Sequence, residues 1–149
     1  MLDAFRRHGL PVVLVNVAGR APGRTEEGPH AGVSFAAGWT DFLPELDQQP
    51  NDILVTKRTW GALASTDLEA RLKALLVTQA VVTGVARSGG VEATARQAYE
   101  QGFNVTLALD AMTDTRPEAH DYSIRNVFPR LGETGTSRAI IDLLPRRIA

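Results

Sequence analysis

The chain has 149 residues, a formal net charge of −1, 44% hydrophobic and 22% charged residues, and no cysteine. That length suits one domain spanning residues 1–149 with a sizeable core, and the near-neutral charge supplies no field for nucleic acid or an anionic membrane surface. The missing cysteines exclude disulfides, thiolate metal sites and a thiol nucleophile.

The chain opens on an amphipathic stretch, LDAFRRH, with charges where a signal peptide needs an apolar core. No later apolar run approaches the roughly 20 residues that span a bilayer. A cytoplasmic location is therefore expected, with neither nucleic acid nor membrane as partner. Gly9 stands where a helix end favours a left-handed residue, so the opening reads as a helix. Residues 11–17 (PVVLVNV) are short and β-branched, the pattern of a buried strand. Residues 18–38 are rich in glycine, proline and charge, a long connection of the kind that is often functional.

Residues 52–56 (DILVT) form the next strand candidate. A helix is expected over 66–75, with Thr66 as N-cap and Glu69 three residues on, a capping-box pattern. Residues 79–85 (QAVVTGV) read as a strand and 90–102 as a helix, with Val91, Thr94, Ala95 and Ala98 on one face. A strand over 104–109, a helix over 118–131 and a short helix over 137–144 complete the chain.

Alternating strands and helices, with continuously apolar strands, predict an α/β fold: a parallel sheet covered on both faces. Ligands of such sheets bind beyond the C-terminal strand ends. That selects residues 16–24, 57–60, 86–90 and 110–113.

Those strand ends carry a resemblance. Val82-Thr83-Gly84-Val85-Ala86-Arg87-Ser88-Gly89-Gly90-Val91-Glu92-Ala93-Thr94-Ala95-Arg96 resembles the signature of isochorismatase-like hydrolases of the cysteine hydrolase superfamily, in which the nucleophile stands at the start of a helix. The stretch from Ala4 to Val13 is similar to the family's first helix and second strand. Lys57-Arg58-Thr59-Trp60 is similar to its lysine strand end, and Gly102 through Met112 to its fifth strand. The blocks run in family order over most of the chain. The resemblance implies a three-layer α/β/α, Rossmann-like fold, a small-molecule substrate, a homo-oligomer and a cis peptide between Val85 and Ala86.

Two departures shape the functional expectation. Gly90 stands where thiol members have their nucleophilic cysteine. The family's first strand, central in the sheet and ending in a catalytic aspartate, would precede residue 1, so the chain reads as N-terminally shortened and lacking that strand. The resemblance implies a Cys–Asp–Lys triad in thiol members, and a vinyl-ether cleavage without covalent intermediate, with an aspartate as general acid, in true isochorismatases. The expectation is thus a family hydrolase acting by a non-thiol mechanism with incomplete catalytic apparatus. The alternative is an inactive remnant serving as a binding or oligomer-forming subunit.

Lys57 and Gly90 are the catalytic candidates, converging on one crevice with a pocket beside them. Gly90 supplies a main-chain N–H at a helix start, where anionic charge is stabilised. Lys57 reads either as a crevice ammonium or as a solvent-facing or ion-paired lysine. Ala86, Arg87, Ser88, Gly89 and Trp60 are candidates for contacting substrate. Arg87 fits an anionic group or a solvated loop. Ser88 fits a turn residue or a replacement nucleophile, and Trp60 a pocket wall. Arg20 and Arg24 could line an anion pocket or a mobile loop, and Trp39 and Phe42 a lid, a core or a subunit interface.

His8, His30 and His120 form no metal pattern, and Asn16-Val17-Ala18 stands where nicotinamidase-like members carry Asp-x-His. No metal and no cofactor are expected. The glycines between 84 and 90 do not match a dinucleotide or P-loop spacing.

Overall fold

The β-branched runs that the sequence marks as strands pair in parallel. In a computed structural model that describes residues 1–26, 28–29 and 35–145 (the side chains at 28, 29 and 87 excepted), β1 (Val13–Val17) is the first. A two-residue antiparallel ladder then joins β2 (Arg24–Thr25) to β3 (Gly28–Pro29). β4 (Ile53–Lys57) pairs with β1, Val13 opposite Ile53 and Val17 opposite Lys57. His30 and part of the 18–38 connection lie outside the described residues.

A second parallel ladder contains β5 (Gln79–Gly84), β6 (Asn104–Met112) and β7 (Gly132–Gly135) in that order. Among the described residues the expected sheet is therefore divided. Among the described residues β1 pairs only with β4, and β5 only with β6. A groove of about 690 Å³ runs along this division, with Phe5, Val12, Val81, Thr83 and Ile140 among its walls.

Alternation along the strands separates two faces. Ile53, Val55 and Leu107 face a core completed by α2 (Leu68–Ala74) and α3 (Glu92–Glu100), through Leu68, Leu72, Ala95 and Ala98, and by Phe128. The opposite face is covered by α1 (Leu2–Arg7) and α5 (Ser137–Asp142), where Ala4, Leu14, Ala108 and Ile140 are buried. Helices on both faces of parallel strands make the three-layer α/β/α arrangement expected from the sequence. No helix of the described residues is long and apolar enough to cross a membrane.

Local chemistry sets the ends of these elements. Gly9, at φ +68°, ends α1: its N–H reaches the Arg6 carbonyl at 2.9 Å and the Leu10 N–H reaches Phe5 at 3.0 Å, the paired bonds of a Schellman cap. Arg6 then clamps α1 to the start of β4, donating to both carboxylate oxygens of Asp52 at 3.1 and 2.6 Å. The Arg6 hydrogen bond holds Asp52 below its ordinary pKa, against the opposing effect of burial.

Two local expectations are corrected and one strand is added. Helix α2 begins at Leu68, not at 66; the Thr66 hydroxyl accepts the Leu68 N–H at 3.1 Å, while Glu69 turns away from the capping box to pair with Lys73 at 2.6 Å. The helix expected over 118–131 is three helical pieces: α4 (Pro117–Tyr122), a wide π-type turn over Ser123–Val127 and a tight 3-10 turn over Phe128–Arg130. The change of winding buries Ser123 and Phe128 together, with the Ser123 hydroxyl donating to Glu92 at 2.8 Å. Finally, β7 has no apolar alternation of its own and is a strand because it pairs with β6.

Candidate functional site

The same alternation that puts Ile53 and Val55 in the core sends Lys57 to that face, beneath the entry to α3. Its Nζ donates to the main-chain oxygen of Trp60. A Cβ added at Gly90 would lie 2.8 Å from Lys57 Nζ and 3.4 Å from that Trp60 oxygen. Positions 57, 60 and 90 thus meet at one point, the convergence read from the sequence.

Gly90 lies in a single wide turn, Arg87–Val91, that runs directly into α3. The peptide between Val85 and Ala86 is cis, as the resemblance implies. The N–H groups of Gly89 and Val91 both reach the Ala86 carbonyl, each at 3.2 Å. The turn is tied from outside by Asp114, whose Oδ2 accepts the Ser88 N–H at 2.6 Å and whose Oδ1 accepts the Arg116 N–H at 3.1 Å. Burial raises the Asp114 pKa, but hydrogen bonds from Ser88, Arg116 and Thr115 together outweigh it and hold the carboxyl at about 2.

The other wall is fastened to α3. Thr94 Oγ1 donates to the Gly90 carbonyl at 2.7 Å and accepts the Ala62 N–H at 3.2 Å. Gln97 Oε1 accepts the N–H groups of Leu63 and Ala64 at 2.9 and 3.1 Å. The connection that follows Lys57 is therefore held against the helix that follows Gly90, which keeps the two strand ends in register. At the outer edge Arg58 donates to the Ala18 carbonyl at 3.0 Å.

Burial pushes the pKa of Lys57 below the ordinary lysine value, and no carboxylate among the described residues opposes it. The amine stands over a glycine, beside main-chain groups of a helix-entry turn. Such a point can receive the developing negative charge of a reacting carbonyl or leaving group. It offers no side-chain nucleophile at position 90, so an acyl-enzyme cannot form there.

The remaining candidates separate. Ala86 contributes its carbonyl to the turn, and a Cβ on Gly89 would meet nothing within 4 Å. Trp60 brings its main chain to Lys57, and the residue is 70% exposed. Ser88 opens instead on a polar cleft of about 540 Å³ beside Glu92, Arg96, Tyr99 and Tyr122, and neither Lys57 nor Gly90 lines that cleft. The side chain of Arg87 lies outside the described residues. Phe35 and Trp39 stack at 4.2 Å, and Asn16 ties that segment to β1 by donating to the Thr40 carbonyl at 2.6 Å. The pocket expected beside Lys57 and Gly90 is neither this cleft nor the groove between the ladders, because the lysine itself lies over the glycine. Among the described residues no three His, Asp or Glu side chains gather as a metal site.

Asp114 and Gln97 escaped the sequence reading, and Thr94 was read only as part of a helix face. Asp114 lies one residue beyond the strand-end window 110–113. Thr94 and Gln97 are three apart on one helix, a spacing that marks a shared face, yet nothing local says which main-chain groups they meet.

Residues 1–139 match the family model described as the isochorismatase domain. YwoC of Bacillus subtilis, described as an uncharacterized isochorismatase family protein, is 34% identical over 148 residues, covering 95% of this chain and 78% of its own. YecD of Escherichia coli O157:H7, described in the same words, is 33% identical over 145 residues, covering 94% of this chain and 77% of its own. The solved structure of an isochorismatase family protein from Burkholderia thailandensis has a TM-score of 0.87 at 35% identity, covering 94% of this chain and 76% of that one.

Proposed function

This chain belongs to the isochorismatase family, and from that premise we propose that it is a small-molecule hydrolase working without a thiol and short of one catalytic group. The observation that carries the reading is the meeting of Lys57 with Gly90. The lysine and the helix-entry turn are assembled as an anion-stabilising pair, but the described residues bring no carboxylate to the amine. Hydrolysis of a vinyl ether or a similar bond would then use Lys57 and the turn for charge, and would need a proton donor that this constellation does not contain. Asp114 does not fill that role: held at about 2, its carboxyl is ionised near neutral pH and is committed to the Ser88 N–H.

A cytoplasmic homo-oligomer completes the proposal. The exposed side chains of Leu143, Tyr99 and Tyr122 are the kind of surface that subunit contacts bury. One observation favours the second reading, an inactive binding or oligomer-forming subunit: Lys57 already donates to the Trp60 carbonyl and fills the space over Gly90.

Turnover of a panel of small vinyl ethers, esters and amides separates the two. The wild-type protein is expected to be slow and to accelerate as formic or acetic acid is added to replace the absent donor. Lys57→Met is expected to lower the accelerated rate about a hundredfold. No turnover with any compound at any acid concentration establishes the second reading, and an unchanged rate in Lys57→Met moves the chemistry elsewhere.

A further inference from the structure

We infer that the groove between the two ladders docks an extended apolar peptide strand of another polypeptide, held by the open edges of β1 and β5. Hydrogen bonds at the ladder ends fix which way each edge faces. The Ile53 N–H reaches the Val12 carbonyl and the Ala18 N–H reaches the Lys57 carbonyl, each at 2.8 Å. Successive residues of a parallel strand direct their main-chain groups to opposite sides. In this register Val12, Leu14, Asn16 and Ala18 turn theirs to β4, and Val13 and Val15 turn theirs away. On β5 the Asn104 N–H reaches the Thr78 carbonyl at 2.9 Å, so Thr78 and Ala80 serve β6 while Gln79 and Val81 face outward. Among the described residues no hydrogen bond joins β1 to β5 or takes up the main-chain groups of Val13, Val15, Gln79 and Val81.

Val13, Gln79 and Val81 line the groove of about 690 Å³, which therefore offers main-chain donors and acceptors from both long sides. Its other walls are apolar. Phe5 of α1 and Ile140 of α5 close one face, and Leu72 of α2 closes the other. Among the described lining residues Glu133 alone has a charged side chain. Leu75, also in the lining, is 54% exposed, an apolar side chain that an occupant would cover.

These features select the chemistry of the occupant. An apolar small molecule would fill the space and strip water from two rows of main-chain groups without replacing it, at a cost for each group. An extended peptide presents N–H and C=O groups to both sides at once and sends alternate side chains to the two apolar faces. The matching segment is about five residues long, like β1 itself, and apolar at every position because both of its faces are covered. Docking of this kind uses neither Lys57 nor Gly90, so its failure and the failure of the proposed function are separate results.

The experiment follows main-chain hydrogen exchange of the full chain by NMR, residue by residue, with and without a peptide of valine and isoleucine carrying lysine pairs at both ends for solubility. In the free protein the amides of Leu14, Asn16, Ala80 and Val82 are expected to be protected, and those of Val13, Val15, Gln79 and Val81 to exchange at least about tenfold faster. Saturating peptide is expected to slow the second set and to raise the melting temperature. The same peptide N-methylated at every second residue, which loses the donors of one edge, is expected to bind about tenfold more weakly. Val81→Pro removes an outward N–H and leaves the β6 ladder its bonds; it is expected to fold and to bind the peptide about tenfold more weakly. Equal protection of the two sets in the free protein overturns the inference, because the edges are then already paired; protection that rises with protein concentration assigns them to a second copy of the chain. Absence of peptide binding overturns it too. So does equal affinity for the N-methylated peptide, which would make the groove a general apolar site, or unchanged affinity in a folded Val81→Pro protein.

Discussion

Asp114 reaches back across 26 residues to accept the main-chain N–H of Ser88 at 2.6 Å. It thereby joins the end of β6 to the turn that delivers Gly90 to Lys57. A carboxylate taking main-chain N–H donors in a half-buried setting is both a structural tie and a pH sensor. Its folded-state value of about 2 lies below the ordinary 3.8. The stability it contributes is therefore complete above the ordinary value and is lost as pH falls toward the folded one. Asp114→Asn is expected to lower stability at pH 7 by about 1–2 kcal/mol, allowing for solvent screening. The difference from wild type should shrink as the pH is taken down to about 2. Urea denaturation at several pH values measures it, and a pH-independent difference would remove the charge from the explanation.

Lys57 has the opposite sign. Burial lowers its folded-state pKa below the ordinary 10.5, so the charged form is disfavoured in the folded protein. That penalty is present at neutral pH and is relieved as pH rises toward the ordinary value. Lys57→Met is expected to be as stable as wild type or more stable at pH 7, by up to about 1 kcal/mol. The margin should close as pH approaches 10. Thermal melts across this range test the sign directly, and a variant that is strongly destabilised at pH 7 would show that the bond to the Trp60 carbonyl outweighs the burial.

Two glycines should respond very differently to alanine. At Gly90 the close neighbour is the far end of a flexible lysine, which can swing aside, so the loss is expected to stay within about 1 kcal/mol. At Gly132 the added carbon would collide with the main-chain oxygen of Val105 and lie 2.8 Å from its carbonyl carbon. These atoms belong to the β6–β7 ladder, in which Val105 is opposite Gly132. Gly132→Ala is expected to cost about 3 kcal/mol or to prevent β7 from docking. Chemical denaturation of both variants decides the ranking.

Leu76 closes α2 at φ +57°, with its N–H on the Lys73 carbonyl and the Val77 N–H on that of Leu72, each at 3.0 Å. This is the glycine position of a Schellman cap, occupied by a leucine that is 87% exposed. Leu76→Gly is expected to raise stability by about 0.5–1 kcal/mol, because glycine adopts the left-handed conformation without steric strain. A lower melting temperature would show that Leu76 makes contacts worth more than the strain it bears.

How far the residues alone led can be judged element by element. The runs at 11–17, 52–56, 79–85 and 104–109 were legible as strands because β-branched and apolar residues bury on both faces of a parallel sheet. The end of α1 was legible because Gly9 suits the left-handed position. The approach of Lys57 to Gly90 was legible in outline, since both follow parallel strands whose C-terminal ends share one edge. Composition alone withheld a thiol from position 90.

Other features had to wait for packing. GETG became β7 because β6 offered it an edge, and a run without apolar alternation carries no trace of that offer. Asp114, Gln97 and the Trp60 carbonyl acquired their partners across gaps in sequence that local periodicity does not span. The division between β1 and β5, and the resting place of the Lys57 amine over Gly90, depend on which edges and cavities remain when the layers close. Propensity and alternation act over a few neighbouring residues, whereas hydrogen-bond partners and free volume are properties of the assembled interior.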